Sequence, residues 1–452
     1  MNSGRFDKLV GRVRPGTYVN VDSNTKPAVT FGARGNVLIP LVNSWGPDAT
    51  IIKITADNIT AHDAELGNSV SNILLLNEAF KGASTVLVYN INKGAKATVT
   101  AGGIAMTAKY AGTRGNDIKV ACVQNTDETF KISVFLGTET VEEFDGIADA
   151  DAAAAIVSDY VDFAVTTTTT GSGTEAVTTT NPLTPFASAT LVGGTNTDVQ
   201  NTDIAAMLDA IEDENISAMA FPFTDSALKA AAASKARYLR DTCGKTFQVV
   251  VADYATADYE GVINVTNAYQ RSDGVALTHE QATAYVAAIT AAATELVSNT
   301  YKVVADADTV VDKKTNEQAE AAILNGEFFF TQEKDTVIVE VDINSLHTFT
   351  PTRSKSYSKN KVIRVYDAFS DTLRSTFPPN RFDNSPLGWD LMDGLCQTIL
   401  KYYQDEGAIM NVDLANDLKV NRGESSGDSV YFDARIHAVD AAEKLYFTVI
   451  TD

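Results

Sequence analysis

Ser217-Ala218-Met219-Ala220-Phe221, then Ser226 to Arg240, then Thr246-Phe247-Gln248-Val249-Val250-Val251-Ala252 form an apolar run, a helical run rich in alanine, and a second apolar run. A short strand apolar at successive positions is buried on both faces, as in a parallel sheet covered by helices. Strand, helix and strand at this spacing make a βαβ unit, so the sheet here is largely parallel. The same texture extends upstream. Val37 to Val42, Thr50 to Ile54 and Thr85 to Tyr89 read as strands and Ile73 to Phe80 as a helix. Ile204, Met207, Leu208 and Ile211 fall at i, i+3, i+4 and i+7, an amphipathic helix. Downstream, Thr278-His279-Glu280-Gln281 and Thr315-Asn316-Glu317-Gln318 are capping boxes that open two further helices, the second closed by Gly326. Glu327 to Thr331 and Thr336 to Asp342 read as a hairpin.

Between Lys93 and Leu191 short alternating runs at Lys96 to Thr100, Ile118 to Val123 and Phe130 to Phe135 predict antiparallel strands. Thr166 to Thr170, Gly171-Ser172-Gly173 and Thr178 to Thr180 predict a polar loop. Near the end of the chain, Ser385-Pro386 is an N-cap with proline at N1. The helix it opens has an apolar face of Leu391, Met392, Leu395, Cys396, Ile399 and Leu400 and stops at Gly407. Val430 to Ile436 and Lys444 to Ile450 alternate as strands. The expected fold class is therefore an α/β core with a largely parallel sheet, an inserted antiparallel β-sandwich-like domain and an α+β C-terminal domain, with extended terminal arms. The division expected is an arm at 1–35, a discontinuous core at 36–92 and 192–345, an insert at 93–191 and a C-terminal domain at 346–452.

The chain of 452 residues is 44% hydrophobic and 21% charged, as ordinary globular chains are. Its 36 basic and 58 acidic residues leave a net charge of -22, which repels nucleic-acid phosphates and anionic membranes alike. Met1 to Val10 lacks the apolar run of a signal peptide, and Ala282 to Val297 is too interrupted to span a bilayer. Cys122, Cys243 and Cys396, an odd number far apart in sequence, read as buried free thiols.

Motifs of catalysis and ligand binding fail on their spacing. Cys243-Gly244-Lys245-Thr246 ends like a phosphate loop, but Leu239 stands where the first glycine belongs, and Lys245 leads into a strand. Asp306, Asp308, Asp312 and Glu317 match four positions of a calcium loop, with Val311 at the obligatory glycine, so an acidic loop is expected. None of the four histidines, His62, His279, His347 and His437, is spaced as a metal ligand. No catalytic residue, cofactor or metal is assigned.

Several stretches together resemble the contractile-tail sheath proteins of phages and R-type bacteriocins. These are Arg14-Pro15-Gly16-Thr17-Tyr18-Val19, Gly112-Thr113-Arg114-Gly115-Asn116-Asp117-Ile118, Asp273-Gly274 with the helix Thr278 to Thr294, and Asp342-Ile343-Asn344-Ser345-Leu346. Val439-Asp440-Ala441-Ala442-Glu443-Lys444-Leu445-Tyr446-Phe447-Thr448-Val449 is the most specific of them. The resemblance implies a subtilisin-like fold without catalytic residues. It also implies hexameric rings stacked in a helical homopolymer around an inner tail tube, with baseplate and terminator proteins at the ends. The particle would be a phage tail or bacteriocin, assembled in the host cytoplasm. It implies that terminal strands complete a sheet in a neighbouring subunit. The residues concerned are Thr17, Tyr18, Val19 and Val21 in the N-terminal arm, and Leu445, Tyr446, Phe447, Thr448, Val449 and Ile450 at the end.

Arg353, Lys355, Lys359, Lys361 and Arg364 lie within twelve residues that hold no acid. They are either a solvated stretch leading into a strand at Val362 to Tyr366, or a contact for an acidic tube surface. Two other functional classes stay open at this stage: a cytosolic α/β enzyme with a β appendage, and a type VI secretion sheath component.

Overall fold

The computed structural model describes residues 35–170 and 176–450. These fall into two compact units, residues 35–367 with 438–450, and Ala368–His437. The arm residues Thr17, Tyr18, Val19 and Val21 lie outside the described residues.

The larger unit is organised around a seven-stranded sheet. Its order is Thr50–Thr55, Thr85–Ile91, Asn36–Val42, Ala218–Phe221, Gln248–Ala252, Val262–Val265, Glu327–Phe328. Every neighbouring pair is parallel except the first, where Thr50–Thr55 runs antiparallel to Thr85–Ile91. The alternation of side chains sorts the apolar residues into two clusters. Val37, Ile39, Val86, Val88, Ala218, Ala220 and Val250 face the buried helix His279–Ala292 and its neighbour Leu74–Phe80. Leu38, Leu87, Tyr89, Met219, Phe221, Val249 and Val251 face Asn201–Ala210 and Ser226–Asp241 on the other side. Each such Val or Leu contributes about 1.5–3 kcal/mol on burial. The buried helix is covered on every side from Ala282 to Ala291, and its many alanines let it lie close to its neighbours. Even the strand-side glycine Gly82 has no room, since a Cβ there would sit 2.8 Å from the Ile289 nitrogen.

Both capping boxes form, with Thr278 and Thr315 accepting from the backbone nitrogens of Gln281 and Gln318. The hairpin expected after Gly326 is divided. Glu327–Phe328 joins the main sheet, and only Phe330–Glu333 pairs with Thr336–Val339.

The insert carries a four-stranded sheet, Phe186–Thr190, Ile118–Gln124, Phe130–Leu136, Glu139–Ile147, and a three-stranded one, Val161–Val165, Ile104–Ala108, Thr98–Ala101. Most threonines of its expected loop are in strands, and Gly171-Ser172-Gly173 lie outside the described residues. Thr167–Thr170 pairs antiparallel with Val177–Thr180, because β-branched threonines favour extended backbone even when every one is exposed. Thr113–Asp117, which follows Gly112, is a 3-10 turn docked onto the core. Arg114 donates from its backbone nitrogen to Ser44 O (3.3 Å) and from Nε to Gly67 O (3.1 Å). Gly112 has φ +111°, and a Cβ there would lie 2.0 Å from Ser44 O, so only glycine fits. Trp45, from the core segment, meets Tyr110 of the insert edge to face and stacks with Tyr160.

The smaller unit contains the end of a helix, Asn360–Thr376, and the helix Pro386–Asp405, capped by Ser385 Oγ accepting from the Gly388 nitrogen. Val362 to Tyr366, expected as a strand, is the first part of that Asn360–Thr376 helix. Val362, Ile363, Arg364 and Val365 are all buried, so this turn of the helix is covered on every side, and the β-branched residues misled the local reading. Two three-residue strands, Leu418–Val420 and Phe432–Ala434, pair antiparallel.

His279 holds three segments together. Its Nδ1 lies 2.7 Å from Asp253 Oδ2 and its Nε2 3.0 Å from Asp312 Oδ2, so the ring donates to both only as an imidazolium. The hydrogen bond to Asp253 raises its pKa, burial opposes, and Asp312 adds to the rise. Stability from a raised pKa is fully present below about 6.5, the unfolded value, and is lost as pH rises through the folded one. Melting temperature should therefore fall between pH 6.5 and 9 relative to a His279→Gln variant. Both carboxylates are half-exposed or more, so the difference stays within about 1 kcal/mol. A constant difference between the two proteins across that window would remove the histidine from the pH response.

Candidate subunit interface

The last described residues leave the fold in a way no other described segment does. Ala438 is buried, and the chain then runs over the larger unit to Glu443, whose side chain is only 15% exposed. Beyond it nothing is covered: Leu445 is 69% exposed, Tyr446 89%, Phe447 84%, Val449 83% and Ile450 86%. The strand expected at Lys444 to Ile450 pairs with nothing among the described residues of its own chain. Five large apolar side chains on an unpaired extended segment are an aggregation hazard unless something covers them.

The root of this tail is held by side chains. Glu443 Oε1 accepts from Thr300 Oγ1 (2.8 Å), and Oε2 accepts from Lys359 Nζ. The Thr300 hydroxyl in turn accepts from the Asp342 nitrogen (2.9 Å). Behind it, the Asp342 carboxylate takes hydrogen bonds from Arg364 Nη2 (2.7 Å), Asn360 Nδ2 (2.9 Å) and the Asn299 nitrogen (2.9 Å). Burial alone would raise the Asp342 pKa. The Arg364 charge and the hydrogen bonds outweigh it and hold the carboxyl below its ordinary range.

This geometry breaks up the basic cluster of the sequence. Arg364 is fully buried against Asp342 and Val297 O, so it belongs to the core and not to a surface. Lys359 is committed to Glu443. Arg353 lies over the Tyr259 ring and pairs with Glu260 (3.2 Å) and Asp241 (3.4 Å). Lys355 is exposed and Lys361 half-exposed, and neither forms an ion pair among the described residues.

A second feature is open at one edge. The two-stranded sheet of the smaller unit buries Leu418 and Val420 and leaves Asp433 and Ala434 exposed. Asp393 Oδ1, on the Pro386–Asp405 helix, accepts from the Val420 nitrogen (2.8 Å) and fixes the inner strand. A ladder this short is marginal by itself, and among the described residues no third strand pairs with Phe432–Ala434.

The sites weighed from motifs are occupied by ordinary structure. Gly244, at φ +68°, is a turn after a helix, and Cys243 is exposed there, not buried as expected. Cys122 and Cys396 are buried, which pushes their thiols up to about 11 and about 12. The acidic stretch around Asp308 is a strand, Ala307–Val311, paired with Ala268–Arg271. Among the described residues no group of three or more His, Cys, Asp or Glu is placed to hold a metal, and no helix is long and apolar enough to cross a membrane.

Four family models cover the chain in order. They are the tail sheath protein Gp18 domain III N-terminal region over 34–91 and the phage tail sheath protein beta-sandwich domain over 92–198. The phage tail sheath protein central domain follows over 197–345, then the phage tail sheath C-terminal domain over 352–451. A sheath tail protein of Desulfitobacterium hafniense is 37% identical, with 96% of this chain and 99% of that one covered and a TM-score of 0.83. The chain belongs to the phage tail sheath family. A sheath tail protein of Listeria innocua matches at 33% identity and TM-score 0.76, over 93% of this chain and 96% of that one. The phage-like element PBSX protein XkdK of Bacillus subtilis is 34% identical over 99% of both chains. The protein is thus a structural subunit of a tail sheath, and its place is a tail particle.

Proposed function

We propose that this sheath protein polymerises as hexameric rings stacked around an inner tube, and that contraction of the stack drives the tube through a cell envelope. The exposed apolar tail carries the reading. Leu445 to Ile450 adds a strand to the open edge of the Leu418–Val420 and Phe432–Ala434 sheet in a neighbouring subunit, and the arm residues Thr17, Tyr18, Val19 and Val21 add another. Each backbone hydrogen bond gained contributes about 0.5–1.5 kcal/mol net, and the strand keeps subunits joined while their folded parts reorient. Baseplate and terminator proteins bound the polymer, which assembles in the bacterial cytoplasm. The chain has no catalytic role. The domain division of the sequence, with its insert at 93–191, stands as part of this proposal.

Electron microscopy of the purified chain should show long tubes. A discrete oligomer at every concentration would favour the enzyme reading instead.

Of the basic cluster, Lys355 and Lys361 remain for the tube. Reversing both to Glu should spare tubes of sheath alone and weaken assembly on the inner tube, more so at low ionic strength. A single exposed pair gives about 0–1 kcal/mol, but a ring repeats it, and salt screens it. Tube-templated assembly unchanged at low salt would return both lysines to ordinary solvent-facing charges.

A further inference from the structure

Among the described residues Glu443 is the last whose side chain is held, and residues 444–450 after it are exposed. Its two carboxylate oxygens are held separately, one by the Thr300 hydroxyl and one by the Lys359 ammonium. Both partners are themselves fixed. Thr300 accepts from the Asp342 backbone, and Asn299 beside it donates to the Asp342 carboxylate. Lys359 stands between a short 3-10 turn and the Asn360–Thr376 helix, in an antiparallel bridge with Ile343, and Asn344 is tied to Ser358 across the same bridge (2.9 Å). Asn360, next in sequence, donates to Asp342 and accepts from Gln248 (3.0 Å). One exposed segment is thereby wired, through a single carboxylate, into a fully buried polar network around Asp342 and Arg364.

From this geometry we infer that Glu443, Thr300 and Lys359 form a clamp that sets the direction in which the tail leaves the subunit. The clamp presents the tail to a second copy of this chain. The inference rests on the tail-donation reading above and adds positioning residues to it. A seven-residue segment reaches at most about 23–25 Å, so its receiving edge must lie close to the root. A tail free to swing samples many directions and loses entropy on pairing, whereas a tail fixed at its root has lost most of it beforehand. The clamp also gives a pull on the tail somewhere to go. Force enters at Glu443 and passes to two segments of the fold, so it does not peel residues 438–443 from the surface. The lysine that the sequence offered to the tube acts here, on the tail of its own chain.

The test leaves the tail sequence untouched and changes its partners. Trypsin cleaves after Lys444, one residue past the clamp, and so reports how firmly the root is held. Lys359→Met and Thr300→Val should each raise the cleavage rate at Lys444 and the critical concentration for tube formation by roughly tenfold. Both variants should still melt cooperatively. Thr300→Ser keeps the hydroxyl and should match the parent in both readings. A folded Lys359→Met protein with parental cleavage and critical concentration would overturn the clamp. If Lys359→Met does not fold, Thr300→Val against Thr300→Ser decides the matter. A chain ending at Glu443 separates the two levels. If it forms normal tubes, tail donation falls and the clamp with it. If it forms none while the clamp variants behave as the parent, only the clamp falls.

Discussion

A chain ending at Glu443 should fold, melt as the full chain does, and form no tubes. Residues 444–450 are exposed and pair with no described strand of their own chain, so their loss should leave the fold's free energy nearly untouched. What goes is the contact with a neighbour. Leu445, Phe447 and Val449 share one face of an extended segment, and burying such side chains contributes about 1.5–3 kcal/mol each. Half of the lower total is already about 2 kcal/mol, or more than tenfold in a single association constant. A sheath repeats that contact at every lattice point, so the loss reads out as absence of polymer. Pelleting and electron microscopy at rising protein concentration would check it. Normal tubes from the truncated chain would end the tail-donation reading, and a large fall in melting temperature would show that the tail serves its own fold.

The core was legible because two simple periods write it. Runs such as Val86 to Tyr89 and Val249 to Val251 alternate between the two buried faces of one sheet, and both capping boxes form at the threonines that announce them. The errors cluster where β-branched residues and environment disagree. Val362, Ile363 and Val365 looked like strand residues but lie in a helical turn buried on every side, because burial against neighbouring elements outweighs a propensity difference of a few tenths of a kcal/mol. The threonine stretch shows the converse, since low complexity says nothing about backbone geometry when the side chains themselves favour extension.

The interface was half legible. Apolar alternation at Leu445 to Val449 gave the tail, since a buried-type pattern with no cover in its own chain points outward. The clamp was invisible, because Thr300, Lys359 and Glu443 are ordinary residues far apart in sequence that only folding brings together. His279 escaped for the same reason, its two carboxylate partners coming from separate strand ends. Clusters of like charge mislead in this way. Five basic residues in twelve suggested one surface, and the fold spends three of them on acids elsewhere in the chain, at Glu260, Glu443 and Asp342.

Arg364 gives the second large effect. It is the most deeply placed charge in the cluster, with no exposed surface, and its partner Asp342 is 1% exposed. Removing one member of a buried pair leaves the other desolvated and uncompensated, which typically costs about 3–5 kcal/mol. Arg364→Met keeps much of the side-chain volume, so its loss isolates the charge from the cavity. The variant should lose stability on that scale at neutral pH, measured by urea or thermal unfolding. The sign of the pH response follows from Asp342. Its depressed pKa contributes stability above about 3.9, the unfolded value, and that contribution disappears as pH falls through the folded one. Without Arg364 the depression goes, so the gap between parent and variant should narrow as the medium is acidified. Replacing both partners, Arg364→Met with Asp342→Leu, removes the stranded charge and should recover part of the loss. Lys355→Glu and Lys361→Glu, by contrast, should leave the unfolding curve where it was. An Arg364→Met chain that melts like its parent and fails only on the inner tube would place this arginine at the tube surface after all, and the buried pair with Asp342 would have to be abandoned.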